Sequence, residues 1–227
     1  MLIIILQVLT IAILLILILI QLIKRFLYYQ PSSLRFQTAE NFENIKYKNL
    51  NGIYNLANKK NKIIIFFPDF TENYTFYNNK LLNFANIGYD SIVYDYSGFG
   101  TSSGLPSQNQ LLTDCKNIVI SVLENYHLND IILCGSGLSS FLALYTAIDF
   151  KLTKVILFNP VLSVQENFYK IMPKFIFYEF DLLKNCKEFE GKILSITKNK
   201  NKNLDIFDIV YQDTINYDEI QKFIDDY

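Results

Sequence analysis

One segment constrains the fold of this chain more than any other: an apolar strand that ends in a run of small residues. Residues 131–134 read Ile-Ile-Leu-Cys, and Gly135, Ser136 and Gly137 follow just before a helical pattern that starts at Ser139. A buried apolar run that meets glycines at once predicts a tight turn from a strand into a helix. Turns of this kind join the layers of α/β folds, in which helices cover a central sheet.

Short apolar runs alternate with helical patterns along the rest of the chain. This alternation predicts an α/β fold with a mostly parallel, twisted sheet and helices on both faces. The dipeptide Asn51-Gly52 separates the first two apolar runs and predicts a two-residue hairpin turn there. The predicted strands cover residues 44–50, 52–57, 62–67, 91–94, 131–134, 154–158, 192–196 and 205–211, and the predicted helices cover residues 74–85, 111–126, 139–148 and 217–226.

The N-terminus carries a long uncharged segment, residues 2–23. At ~1.5 Å per residue it is long enough to cross a ~30 Å hydrocarbon core, which predicts one N-terminal transmembrane helix. A cleaved signal peptide is the competing interpretation, but the segment lacks a basic start and a small-x-small cleavage site. We therefore divide the chain into an anchor, residues 1–27, and a domain, residues 28–227. Lys24 and Arg25 follow the span directly, so the positive-inside rule places the domain in the cytosol.

Charge and cysteine spacing argue against nucleic acid and metal ions as partners. The formal net charge is −1, and no basic face indicates nucleic acid. Cys115, Cys134 and Cys186 are widely spaced and lack CxxC spacing, so buried free thiols are predicted rather than a metal site. No motif indicates a cofactor. The predicted partners are a membrane, through the N-terminal helix, and a lipid, an acyl ligand or another protein.

Several stretches together resemble the α/β-hydrolase fold superfamily, in particular the small serine hydrolases anchored by a single membrane span. They are DYSGFGTSSGLPS from Asp95 to Ser107, the small-residue turn, ILFNP from Ile156 to Pro160, and the Tyr-Gln-Pro sequence after the anchor. Ser97 stands where this family usually has Arg. The resemblance implies hydrolysis of acyl compounds by a Ser nucleophile, an acid and a His, in that order along the chain.

The family's catalytic positions are degenerate in this sequence. In the G-x-S-x-G pattern that starts at Gly135, Gly137 takes the nucleophile position and Ser139 the outer small position. The resemblance places the acid at Asn201, with Asp205 as a substitute only if the loop is shifted in register. The His is expected within residues 212–216, which contain no histidine.

The oxyanion loop of the family is also altered. It follows the predicted strand 62–67, where Pro68 and Asp69 replace a His-Gly pair. Oxyanion stabilisation needs N–H groups aimed at a developing negative charge. Pro68 has no N–H, and the carboxylate of Asp69 would repel an oxyanion.

A displaced nucleophile is the remaining catalytic hypothesis. A one-residue shift would make Ser136 the nucleophile, but it puts Cys134 and Leu138 at positions that need very small residues. The only histidine, His127, precedes the strand, more than ~20 Å from the turn at the strand's far end. Ser136, Ser139 or Ser140 would then need activation by another group.

Three functions fit these observations. The first is a membrane-anchored α/β-hydrolase homologue without catalysis, which binds a lipid, an acyl group or a protein. The second is an active acyl ester or thioester hydrolase that uses a displaced Ser. The third is a membrane-tethered interaction module whose aromatic segment, residues 168–180, meets the partner. We rank them in that order, because all three catalytic positions are lost while the fold pattern is kept.

Overall fold

The computed structural model describes residues 1–30, 32, 34–38, 41–57, 59–162, 182–197, 208–211 and 215–226. Within these ranges the strands are β1 Glu43–Tyr47, β2 Leu50–Asn55, β3 Ile63–Phe67, β4 Asp90–Tyr94, β5 Ile131–Ser136, β6 Lys154–Phe158, β7 Lys192–Thr197 and β8 Asp208–Tyr211. The α-helices are α1 Leu2–Tyr28, α2 Asn78–Asn86, α3 Gln108–Val122, α4 Ser139–Phe150, α5 Leu182–Cys186 and α6 Tyr217–Asp225. A 3₁₀ turn, Tyr74–Tyr77, leads into α2, and another, Leu128–Asp130, leads into β5.

The described strands form one sheet in the order β1-β2-β4-β3-β5-β6-β7-β8. The pairings β1–β2 and β2–β4 are antiparallel, and all the others are parallel. This agrees with the predicted α/β class. Strands β3 and β4 are buried along their whole length, which explains why β3 is a continuous apolar run and why apolar residues follow one another in β4 after Asp90 and Ser91.

Helices cover both faces of the sheet. On one face, Leu111 and Ile118 of α3 and Leu142 of α4 pack against β3 and β5. On the other face, Leu81 of α2 and Ile220 of α6 pack against the same strands from the opposite side. Both interfaces bury apolar side chains, so the sheet is the middle layer of a three-layer domain.

The predicted hairpin turn at Asn51-Gly52 is wrong. The turn residues are Lys48 and Asn49, and Tyr47 pairs with Leu50 across it. Gly52 instead lies inside β2, opposite Tyr94 of β4. A Cβ at Gly52 would lie 2.9 Å from the Cα of Tyr94, so this glycine serves the close approach of two strands and not a turn.

Helix α1 contains the apolar N-terminal segment. Residues Ile3–Ile23 have a mean hydropathy of 3.4, and none of this stretch is buried against the rest of the protein. It is the one helix within the described residues that is long and apolar enough to cross a membrane. The predicted boundary at residue 27 falls inside the last turn of α1, which ends at Tyr28.

Candidate functional site at the turn after β5

The turn after β5 has the geometry expected of a strand that passes directly into a helix. A Cβ at Gly135 would lie 2.8 Å from the carbonyl oxygen of Ser139 and 2.9 Å from the Cβ of Ala143, so only glycine lets α4 approach β5 this closely. Gly137 has a φ of 57°, in the left-handed region. Its N–H donates to the carbonyl of Phe158 at 3.0 Å, which holds the turn against β6.

The space above Gly137 is occupied by the side chain of Asp69. A Cβ at Gly137 would lie 2.6 Å from Cγ of Asp69 and well inside contact distance of its Oδ2. This is where the Cβ of the nucleophile would stand in the family pattern. The carboxylate of the loop after β3 therefore fills the place of the missing nucleophile.

The Asp69 carboxylate also takes up backbone donors of this site. The N–H of Phe70 donates to its Oδ1 at 2.6 Å, and the N–H of Leu138 makes a further hydrogen bond to the carboxylate. The N–H of the residue after the nucleophile, together with one N–H of the loop after β3, forms the oxyanion hole of α/β hydrolases. Leu138 and Phe70 occupy these places, so the candidate oxyanion donors here face a carboxylate of the protein itself.

Burial raises the pKa of Asp69 to about 6. The hydrogen bond from Phe70 lowers this pKa, the charge of Glu72 raises it, and the N–H of Leu138 and the charge of Lys80 lower it. Desolvation is the largest of these effects, because the carboxyl group is mostly removed from water. The site thus holds a carboxyl that changes charge near pH 6.

A second layer of polar contacts fixes the Asp69 loop. The N–H of Asp69 donates to the hydroxyl of Tyr77 at 2.8 Å, and that hydroxyl donates to Glu72. The carbonyl of Pro68 accepts hydrogen bonds from the hydroxyls of Ser139 and Tyr96. Hydrogen bonds of Pro68 and Asp69 therefore fix the position of the loop after β3.

A lysine lies among aromatic rings near this loop. The Nζ of Lys80 lies 4.6 Å from the ring centroid of Tyr77, 5.1 Å from that of Phe66 and 5.3 Å from that of Phe158. Burial lowers its pKa, and the charges of Glu72, Cys134 and Asp69 raise it. Neither Lys80 nor Tyr77 was predicted from the sequence as a site residue. Their spacing of three residues at the start of a helix, which places them on one face, is the signal that could have found them.

The serines near the turn differ in exposure. Ser136 ends β5, pairs with Phe158 and is half-buried. Ser139 and Ser140 lie fully buried in the first turn of α4. The hydroxyl of Ser139 is held by Pro68, and that of Ser140 has no hydrogen-bond partner among the described residues.

His127, the one predicted candidate base, lies away from this turn. His127 precedes the 3₁₀ turn that leads into β5, so it lies at the N-terminal end of this strand, whereas Gly137 follows the C-terminal end. The predicted acid position Asn201 and its substitute Asp205 lie outside the described residues, as do residues 212–214 and the aromatic segment 168–180. Asn216, from the expected His region, caps α6 by accepting from the N–H of Asp218.

Ser97, where the resemblance expects Arg, is part of a buried network. Its N–H and its hydroxyl donate to the two oxygens of Asp114 at 2.7 and 2.9 Å, and Asn49 donates to its hydroxyl at 2.8 Å. Asp114 is fully buried. The backbone and hydroxyl of Ser97, together with the side-chain amide of Gln110, satisfy this buried carboxyl group.

Comparison with known proteins gives one family. Residues 58–205 match the family described as serine aminopeptidase, S33. No curated protein matches the sequence.

Solved structures with a similar fold are α/β hydrolases and esterases. An α/β hydrolase from Vibrio vulnificus has a TM-score of 0.62 and 17% identity over 77% of this chain and 73% of its own. An acetyl xylan esterase from Paenibacillus sp. R4 has a TM-score of 0.63 and 14% identity over 87% of this chain and 88% of its own. An esterase from Pyrococcus furiosus has a TM-score of 0.57 and 15% identity over 74% and 76%. At such identities the likeness is one of fold.

Proposed function

The chain belongs to the serine aminopeptidase S33 family of the α/β-hydrolase fold, and on that premise we propose that it is a membrane-anchored homologue without hydrolase activity. Its role is to bind a lipid or acyl ligand, or a protein partner, at the membrane to which α1 attaches it. The fold can persist without catalysis, because the core strands and helices do not depend on the catalytic residues.

One observation carries this proposal: the side chain of Asp69 stands where a nucleophile would stand above Gly137. An ester bound at the turn would meet a carboxylate there in place of a serine hydroxyl. Its carbonyl oxygen would also compete with a carboxylate for the N–H groups of Leu138 and Phe70. Removal of even one oxyanion donor costs hydrolases about 10²–10³ in kcat, so blocked donors favour the loss of activity.

The membrane attachment is supported by the composition and exposure of α1. Residues Ile3–Ile23 carry no charge and present apolar side chains to the surroundings along the whole segment. A bilayer would remove the apolar side chains of such a helix from water. The hydrogen bonds within the helix pair its backbone N–H and C=O groups. With Lys24 and Arg25 directly after the span, the proposal places the domain on the cytosolic side.

Hydrolysis of p-nitrophenyl butyrate by the full chain in neutral detergent tests the loss of activity. We expect a rate equal to that of the buffer, unchanged in Ser136→Ala, Ser139→Ala and Ser140→Ala. The alternative, an active hydrolase with a displaced Ser, predicts turnover above the buffer rate that one of these substitutions abolishes. That result would overturn the proposal.

A further inference from the structure

A second concave site lies beside the edge strand β1 of the sheet and is not lined by residues of the turn at Gly137. It is a groove of about 770 Å³ between the strands β1, β2 and β4 and the C-terminal end of α3. This volume is in the range of small-molecule sites. We call it the tyrosine groove, and the side chains that matter here are Glu43, Tyr47, Tyr54, Tyr94, Glu124 and Tyr126.

Strand register explains why these side chains share one face. Glu43 pairs with Tyr54 across β1 and β2, and Tyr54 pairs with Ile92 across β2 and β4. Gly52 pairs with Ile45 of β1 and with Tyr94 of β4, and the Tyr94 side chain takes up the space above it, because a Cβ at Gly52 would lie 2.9 Å from Cδ1 of Tyr94. Lys46 of β1 is exposed and also lines the groove, as its one cationic lining residue among those described.

A directed chain of hydrogen bonds runs through the groove. The hydroxyl of Tyr126 donates to Oδ2 of Asp90 at 2.6 Å, because an ionised carboxylate only accepts. The 2.8 Å bond between the hydroxyls of Tyr54 and Tyr126 must then have Tyr54 as donor. Among the described residues, no donor to the hydroxyl oxygen of Tyr54 is found. That oxygen is left as an acceptor, polarised through Tyr126 by the carboxylate of Asp90.

The charges around this acceptor are mainly negative. Asp90 is 6% exposed and lies at the inner end of this series of hydrogen bonds. Glu43 and Glu124 also line the groove, and both are exposed. Lys48, whose Nζ lies 5.3 Å from the ring centroid of Tyr47, donates to the Oδ1 of Asn117 at 2.7 Å. An anionic ligand would be repelled from such a groove. Carboxylates and aromatic faces together are the groups that hold an organic cation.

We propose that the tyrosine groove binds an organic ammonium ion, a primary amine carried on an apolar or aromatic body. Its N–H groups donate to the oxygen of Tyr54 and to the rim carboxylates of Glu43 and Glu124. Its apolar part lies against the tyrosine rings. A metal ion is a poorer occupant, because no group of three or more His, Cys, Asp or Glu side chains suited to a metal occurs among the described residues. The site is independent of the turn at Gly137.

Titration of the full chain in neutral detergent with benzylammonium tests the proposal, with ¹³C-labelled tyrosine rings followed by NMR. We expect saturable shifts of the Tyr54 and Tyr126 signals, and binding about tenfold tighter than that of benzyl alcohol, which has the same ring without the charge. The double variant Glu43→Gln, Glu124→Gln should weaken benzylammonium binding about three- to tenfold. Glu188→Gln, which removes an exposed carboxylate outside the groove, should leave the affinity for benzylammonium unchanged.

Tyr54→Phe separates hydrogen bonding from charge. It should weaken benzylammonium about tenfold and leave benzyltrimethylammonium, which has no N–H to donate, at its wild-type affinity. Equal binding of benzyl alcohol and benzylammonium would overturn the proposal. So would the absence of saturable shifts at Tyr54 and Tyr126, or an equal effect of Tyr54→Phe on both cations.

Discussion

At the scale of single residues, Gly137 and Asp69 depend on each other. Glycine at position 137 has two reasons to be there: a φ of 57° and a carboxylate in the place of its missing side chain. The first reason is local, and the second exists only while Asp69 is present. The two effects can therefore be measured separately.

Gly137→Ala should lower the free energy of unfolding by about 2–4 kcal/mol, the sum of left-handed strain and overcrowding. In an Asp69→Ala background the crowding is gone, and the same change should cost only about 1–2 kcal/mol. Urea denaturation of the full chain in neutral detergent, followed by tyrosine circular dichroism because the chain has no Trp, gives all four values of this cycle. Strictly additive costs would show that Asp69 does not occupy this space.

Asp69 should also make stability depend on pH. Its pKa is raised to about 6 in the folded protein, so between about pH 4 and 6 the folded state keeps a proton that the unfolded state has lost. Stability attributable to this group is therefore present below pH 4 and is lost as the pH rises through 6. Asp69→Asn should reduce the fall in unfolding free energy over this window by up to about 1.4 kcal/mol per pH unit.

The control for this pH dependence is Asp226→Asn, which removes an exposed carboxyl elsewhere. It should leave the slope as in the wild type. Asp95, whose pKa burial also raises to about 6, should contribute a second part of the same slope and makes the wild-type decline larger than that of one group. An unchanged slope in Asp69→Asn would contradict the buried position of this carboxyl.

At the scale of elements, the buried strands and the pairing of the first two strands were predictable, but the position of the hairpin turn was not. The strand Lys154–Phe158 was predicted to the residue, because apolar β-branched residues end there at Asn159-Pro160. The same reasoning failed at Asn51-Gly52, because a glycine that admits a neighbouring strand looks in sequence like a glycine that makes a turn. Only the pairing of β2 with β4 distinguishes the two cases.

The candidate site was predictable only in part, because motif positions can be identified in the sequence but contacts between neighbouring strands cannot. Gly135, Gly137, Pro68 and Asp69 were all singled out as site residues from motif positions. That Asp69 fills the space above Gly137 could not be read from the sequence, because it follows from β3 and β5 being neighbours in the sheet. Lys80 was missed because its aromatic neighbours come from three separate elements.

Gly52→Ala tests the role of this glycine in the sheet. A new Cβ 2.9 Å from the Cα and Cδ1 of Tyr94 should push β2 away from β4 and lower the free energy of unfolding by about 1–3 kcal/mol. Lys46→Ala, on the exposed face of the neighbouring strand, should stay within about 0.5 kcal/mol of the wild type. If both variants are equally stable in urea denaturation, the close approach of β2 and β4 is not what requires glycine.

At the scale of the whole molecule, a three-layer domain follows a helix whose apolar segment, Ile3–Ile23, is not buried by the part of the protein that the structure describes. The sheet carries two sites. The first follows β5 and is filled by the side chain of Asp69, and the second is the open tyrosine groove beside β1, β2 and β4. Attachment to a membrane would confine both sites to the region next to the bilayer. This arrangement suits a protein that binds at a membrane more than one that acts on freely diffusing substrates.

The anchor proposal predicts the behaviour of α1 in cells. Ile13→Lys puts a charge near the centre of the apolar segment, at a cost of about 2.5–3.5 kcal/mol for insertion, and combined with Leu17→Lys it should release the protein from membranes. Ile13→Val is the matched control and should remain bound. Membrane fractions washed with alkaline carbonate give the readout. Retention of the double lysine variant would show that α1 is not the anchor.

The most direct test of the central claim is whether any serine at the turn after β5 is activated. The full chain in neutral detergent, shown to be folded by circular dichroism, is treated with a fluorophosphonate and digested for mass spectrometry. With Asp69 in the nucleophile's place and no histidine beside the turn among the described residues, we predict no adduct on Ser136, Ser139 or Ser140. An adduct on any of these three serines would contradict the account.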